Sequence, residues 1–170
     1  MQYSVLGSSG VQVSRVCLGS MTWGIQNTQE QANEQIEYAL SQGVNFIDTA
    51  ELYPVPPSGE KYGDTERIIG CWLAQNSTRR KDIILASKIA GPGLPYLRGG
   101  AKISGESVIE AVDASLKRLQ TDYIDLFQLH WPNRTSPHFS KHWPGKVTFS
   151  SFDSEHETNE MLEILQALDS

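Results

Sequence analysis

Four short apolar segments, each followed by a stretch of helical periodicity, constrain this chain more than any other feature. The segments are Val16-Cys17-Leu18, Val44-Asn45-Phe46-Ile47, Ile83-Ile84-Leu85-Ala86 and Tyr123-Ile124-Asp125-Leu126-Phe127. They are β-branched or aromatic and lack clean polar–apolar alternation, which is how strands read when a sheet is covered on both faces. Between them, residues 28–42 open with Thr28 and Gln31 in capping-box spacing and stop at Gly43. Asp64 is placed to cap a second helix carrying Ile68, Ile69, Trp72 and Leu73. Ser104 is placed to cap a third, with Val108, Val112, Leu116 and Leu119 at intervals of three and four. Such alternation predicts an α/β fold of βαβ units with right-handed crossovers and a parallel sheet.

Residues 2–6 and 11–13 flank Gly7-Ser8-Ser9-Gly10 and predict a small β-hairpin ahead of the sheet, capping one end of it. Trp131 to about Glu155 reads as a long loop rich in Pro, Ser and His, a length that is usually functional in a compact domain. A last helix is expected from near Thr158, with Met161, Leu162, Leu165 and Leu168 on one face.

Charge and composition remove several classes of function. With 14 Lys+Arg against 20 Asp+Glu, the net charge of -6 gives no basic face for a nucleic acid. No apolar run approaches the ~20 residues of a membrane-spanning helix, so no membrane partner is expected. The N-terminal residues lack the basic start and apolar core of a secretory signal. Cys17 and Cys71 lie far apart, form no metal-ligand pair, and are expected as reduced thiols of a cytoplasmic protein. His138 and His142 are four apart but bracketed by Pro137 and Pro144, so no metal site is expected there.

The ionisable residues fall in one place. Asp48 follows Phe46-Ile47, Lys88 follows Leu85-Ala86-Ser87, and His130 follows Phe127-Gln128-Leu129. Any one alone reads as an ordinary paired strand end. Three on consecutive strands occupy the C-terminal edge of the sheet, where ligands bind in α/β folds. Tyr53, five residues past Asp48, opens a loop that leans over the same rim. An ammonium beside a tyrosine favours the phenolate and lowers its pKa, so Lys88 is expected to tune Tyr53 downward while Asp48 pairs with Lys88. His130 can donate a hydrogen bond to an oxygen held beside Tyr53. Together they suit protonation of a carbonyl oxygen.

The strings Leu18-Gly19-Ser20-Met21-Thr22-Trp23-Gly24, Asn45-Phe46-Ile47-Asp48-Thr49-Ala50-Glu51-Leu52-Tyr53, Ala86-Ser87-Lys88 and Gln128-Leu129-His130-Trp131-Pro132 resemble those of the aldo-keto reductases. Ser115-Leu116-Lys117-Arg118-Leu119-Gln120-Thr121-Asp122-Tyr123 resembles the family too, and Tyr53-Pro54-Val55-Pro56-Pro57 is most similar to its Tas-like bacterial branch. The resemblance implies an NADPH-dependent reductase of aldehydes or ketones on a (β/α)8 TIM barrel. It implies Tyr53 as proton donor, Asp48 and Lys88 as its tuning pair, and His130 orienting a small-molecule carbonyl substrate. It puts Met21, Gln26 and Asp48 near the cofactor, and Trp23, Tyr53 and Trp131 along the substrate pocket. The alternative is a non-catalytic regulatory or binding module, as in channel-associated relatives, which differ at the position of His130.

A barrel of this kind needs ~250 residues. Residues 1–170 are therefore expected to form its N-terminal half, four parallel β/α units that end inside the helix after strand four. Barrel phosphate sites usually lie after strands seven and eight. The 170 residues alone are accordingly expected to bind NADPH poorly and to be inactive unless a C-terminal half-barrel, in cis or as a second chain, or self-association completes them.

Overall fold

The computed structural model describes residues 1–133 and 154–169. The hairpin comes first: β1 (Tyr3–Val5) and β2 (Gln12–Ser14) pair antiparallel. Asn45 fastens it to the base of the main sheet. Its Oδ1 accepts the Ser14 amide at 2.7 Å, its Nδ2 donates to the Gln12 carbonyl at 3.0 Å, and its own amide donates to Ser14 Oγ at 3.1 Å. The Tyr3 hydroxyl donates to the Gly43 carbonyl at 2.7 Å. Gly43 takes φ +80°, and a Cβ there would meet that hydroxyl at 2.9 Å, so glycine both turns the chain and admits the tyrosine.

Strands β3 (Cys17–Gly19), β4 (Phe46–Asp48), β5 (Ile84–Ile89) and β6 (Leu126–Leu129) form one parallel sheet in sequential order. With the helices between them, this is the arrangement of the first four β/α units of a barrel. The last strand starts three residues later than its apolar segment. The Asp125 carboxylate is occupied by the Leu85 amide at 2.8 Å and by Arg80 Nη2 at 2.7 Å, while the Arg80 guanidinium lies 3.7 Å from the Tyr123 ring centroid. Residues 123–125 thus serve a side-chain pin, and the ladder with β5 begins at Leu126.

Helix α1 (Gln29–Ser41) opens on the expected capping box of Thr28 and Gln31. Helix α2 (Asp64–Gln75) does not start as expected: Gly63, at φ 78°, is its N-cap, and Asp64 is the first helical residue. The Asp64 carboxylate instead pairs with Arg67 at 2.9 Å, placing negative charge against the helix N-terminus. Ser104 caps α3 (Gly105–Leu119) with a box completed by Ser107. Helix α4 (Ser154–Asp169) packs on α3 through Ile164, with Ala167 and Leu168 beside it. The face read from sequence is corrected here. Met161, Leu162 and Leu165 are exposed, because contact with Val108 and Ala111 selects Ile164, a stripe one position away. Most of the loop between β6 and α4, with His138 and His142, lies outside the described residues.

Register decides which side chains meet. Leu18, Ile47 and Leu85 stand opposite one another and pack with Ile36, Ile69, Trp72 and Leu119. Each buried Ile or Leu there is worth about 1.5–3 kcal/mol over an exposed one. A charged pair is set into the same helix-facing layer. Glu66 on α2 is fully buried and accepts Arg118 Nε at 2.6 Å and Ser87 Oγ at 2.6 Å, while Arg118 Nη2 donates to Ser115 Oγ. It joins α2, α3 and β5. Gly70 keeps α2 close enough for this, since a Cβ there would run into the Arg118 carbonyl. Removing one partner of a buried pair leaves an uncompensated charge. Arg118→Ala should therefore lower unfolding stability by about 3–5 kcal/mol, read as a reduced urea midpoint.

Candidate active site

The alternation that sends Ile47, Leu85 and Ser87 toward the helices sends Asp48 and Lys88 to the other face of the sheet. Gly19 is in register with Asp48, Asp48 with Ala86, and Lys88 with Gln128, so the strands finish along one edge. Backbone bonds carry this edge onward: Ser20 N–H donates to the Asp48 carbonyl, Glu51 N–H to that of Lys88, and His130 N–H to that of Ile89.

Lys88 Nζ donates to Asp48 Oδ2 at 2.6 Å and to the Thr49 carbonyl at 2.7 Å. It lies 5.1 Å from the centroid of the Tyr53 ring. Tyr53 meets His130 edge to face, with centroids 5.5 Å apart and planes at 83°. The His130 and Trp131 rings lie 5.3 Å apart. All four residues of the expected set, Asp48, Tyr53, Lys88 and His130, thus lie together on the rim.

The electrostatics differ from expectation at Tyr53. Its phenol is pushed up, first by burial and then by the Asp48 carboxylate. The Lys88 ammonium is matched at 2.6 Å by Asp48, so little positive charge is left to favour a phenolate. His130 is pushed down from 6.5 to about 4, by burial first and next by Lys88, with Asp48 opposing. Near neutral pH the rim therefore presents a protonated tyrosine, a neutral imidazole and an internally matched Lys–Asp pair. A neutral imidazole has one N–H to give and a protonated phenol has one O–H. Both can be offered to one acceptor oxygen.

The remaining expected residues divide. Met21 is half-exposed and Gln26 exposed, in the loop that continues β3 beyond the rim. Trp131 is buried at the rim among Leu52, Ala90 and Leu97, with Nε1 donating to the Pro92 carbonyl at 3.2 Å. Trp23 does not line this region. It is 1% exposed, packs in the main core, and gives its indole N–H to Gln35 at 2.9 Å. An apolar ring with a helix partner for its N–H is better satisfied between helices than at a wet edge.

Sequence reasoning passed over Glu51 and Arg98, which form a bidentate pair beside the site. An acidic residue between Asp48 and Tyr53 was the available signal. Cys17, expected as a reduced thiol, is exposed on β3, and its pKa is pushed up to about 11 by burial first and then by Asp48, with Lys88 opposing. A cavity of about 590 Å³ lies elsewhere, between the C-terminal ends of α2 and α3, lined by Leu73, Ala74, Leu116, Lys117 and Gln120. It holds none of the rim residues. Among the described residues no cluster of His, Cys, Asp and Glu could hold a metal, and no helix is long and apolar enough to cross a membrane.

The model of the aldo/keto reductase family matches residues 15–170. Protein tas of Escherichia coli (strain K12) is 43% identical over 171 residues, covering 99% of this chain and 47% of that protein. Aldo-keto reductase YhdN of Bacillus subtilis (strain 168) is 36% identical over 145 residues, covering 81% of the chain and 40% of its own length. A probable voltage-gated potassium channel subunit beta of Arabidopsis thaliana is 36% identical over 140 residues, covering 81% and 39%. The chain spans about half the length of the curated relatives it matches.

Two outcomes follow from the rim's electrostatics. Asp48→Asn removes the charge that raises Tyr53 and frees the Lys88 ammonium, so Tyr53 should ionise at lower pH, read by phenolate absorbance. His130, neutral when folded, is protonated more readily when unfolded. Stability should therefore hold above about pH 6.5 and fall as the pH drops toward 4. Urea titrations of the wild type and His130→Gln at pH 7 and pH 5 should show a smaller loss in the variant.

Proposed function

The chain belongs to the aldo/keto reductase family, and on that premise we propose that it carries the proton-handling groups of an NADPH-dependent oxidoreductase that converts aldehydes or ketones to alcohols. The observation that supports this best is the joint placement of Tyr53 and His130 over the Lys88–Asp48 pair. In this reading a carbonyl oxygen sits between the Tyr53 hydroxyl and a His130 N–H. Tyr53 gives its proton as negative charge develops on that oxygen, and the neutral imidazole stabilises the charge by hydrogen bonding. Lys88 shares the negative charge that the departing proton leaves on Tyr53, and Asp48 keeps the ammonium oriented when no substrate is present. Trp131 and the Tyr53 ring supply apolar wall for the substrate. Trp23, buried in the core, has no part in it.

The residues present fit the nicotinamide end of the cofactor. Asp48 keeps 29% of its side chain exposed while bonded to Lys88, leaving a carboxylate open to a ribose hydroxyl. Met21 and Gln26 are exposed in the loop beyond β3 and are proposed to border the same position. When bound, NADPH supplies the hydride for the carbonyl carbon. The phosphate end is different, since the rim cations Lys88 and Arg98 are already committed to Asp48 and Glu51. We assign the phosphate grip to the part of the relatives' length that this chain does not match, supplied as a C-terminal half-barrel or by a second copy. A cytoplasmic location accords with this chemistry.

The test compares residues 1–170 with a version extended to the relatives' length. NADPH fluorescence titration should show micromolar binding, worth about -8 kcal/mol, only in the extended protein. Reduction of an aromatic aldehyde should follow the same pattern. Tyr53→Phe in the extended protein should cut kcat by about 10²–10⁴-fold, the usual worth of a positioned acid. Unchanged turnover in that variant rejects the assignment of Tyr53. Cofactor binding without turnover of any carbonyl favours the non-catalytic module.

A further inference from the structure

Between Asp48 and Tyr53 lies a carboxylate that solvent barely reaches: Glu51 is 2% exposed. A buried carboxylate persists as an ion only where partners replace its water. Here they do. Oε1 accepts the Ala90 amide at 2.5 Å and Arg98 Nη2 at 2.5 Å, and Oε2 accepts Arg98 Nη1 at 2.9 Å. Arg98 Nη2 also donates to the Ala90 carbonyl at 3.2 Å, so the pair holds both polar groups of that peptide residue. Glu51 N–H in turn donates to the Lys88 carbonyl at 3.2 Å.

These bonds grip the chain on either side of the site. Glu51 is two residues before Tyr53, and its partners at Lys88 and Ala90 are the end of the strand that carries the ammonium. Arg98 brings in the next loop, whose Leu94, Tyr96 and Leu97 pack with Leu52, Tyr53 and Trp131. Arg98 also adopts φ 48°, a conformation that side-chain-bearing residues avoid and that survives where surrounding contacts over-determine it. The Tyr53 hydroxyl makes no hydrogen bond to another described residue, so the backbone and ring contacts locate it. The other buried pairs, Glu66–Arg118 and Asp125–Arg80, join helices and strand starts away from the rim.

We propose that the Glu51–Arg98 pair is the positioning device of the site, holding the Tyr53 loop against the Lys88 strand end without touching the reacting atoms. The role rests on the reductase reading for its purpose, whereas the geometric claim can be read with no substrate or cofactor present. The groups that face Tyr53, namely Asp48, Lys88 and His130, are unchanged in the variants that test it.

The experiment is a titration of the 170-residue chain with ¹³Cζ-labelled tyrosines, Tyr53 being identified by the signal lost in Tyr53→Phe. In Glu51→Gln and Arg98→Lys the Tyr53 titration should move down toward the ordinary tyrosine range as its ring gains solvent. Tyr3 and Tyr38, away from the rim, should stay in place. If Glu51→Gln does not fold, Arg98→Lys decides, because it keeps Glu51 on the Ala90 amide. A folded variant with Tyr53 unmoved overturns the proposal, as does a common shift of all tyrosines. Loss of fold in both variants assigns the pair to overall stability and equally overturns it. Absence of reductase activity leaves this result standing, and an unmoved Tyr53 leaves the activity test standing.

Discussion

The in-step parallel ladder is the constraint on which everything else here depends. A strand alternates its side chains with period two, and a slip of one residue would turn each strand over. In the observed register Ile47 and Leu85 enter the core while Asp48 and Lys88 reach the opposite face, where they approach to 2.6 Å. One hydrophobic layer therefore fixes both the fold and the meeting of two charges forty residues apart.

Around that ladder, long-range order is secured by buried ion pairs that each join separate segments. Asp125 reaches Arg80 and the Leu85 amide near the start of β5, Glu66 reaches Arg118 and Ser87, and Glu51 reaches Arg98 and Ala90. In each, a backbone or hydroxyl donor completes the carboxylate's shell, the condition under which a buried pair is tolerable. Such pairs add little net stability over apolar packing, but few alternative arrangements satisfy them.

Much of this was legible because it is local. The capping box at Thr28, the cap at Ser104, the hairpin around residues 7–10 and the strand order follow from neighbours in sequence. The convergence of Asp48, Lys88 and His130 follows from counting residues to the ends of strands, Tyr53 from its place five residues past Asp48, and the likeness to a known family added the cofactor and substrate-pocket positions. What was missed is tertiary. Trp23 lies in a string that resembles a site segment, yet its N–H finds Gln35 and its ring finds the core. The buried face of α4 depends on where α3 lies, which periodicity alone does not give. The direction of the Tyr53 shift turns on burial and on a lysine already neutralised, neither visible in a list of residue types.

Cys17 shows what the same charges do to a bystander. Its thiol shares the sheet with Asp48, and burial first, then Asp48, with Lys88 opposing, push its pKa up to about 11, so the protonated thiol dominates at neutral pH. The thiolate is the nucleophile, so the sulfur next to a carboxylate-bearing rim is chemically quiet. An electrophile lingering at this edge would meet no competing nucleophile on β3. Burial, more than the carboxylate that orients Lys88, is what keeps this sulfur protonated.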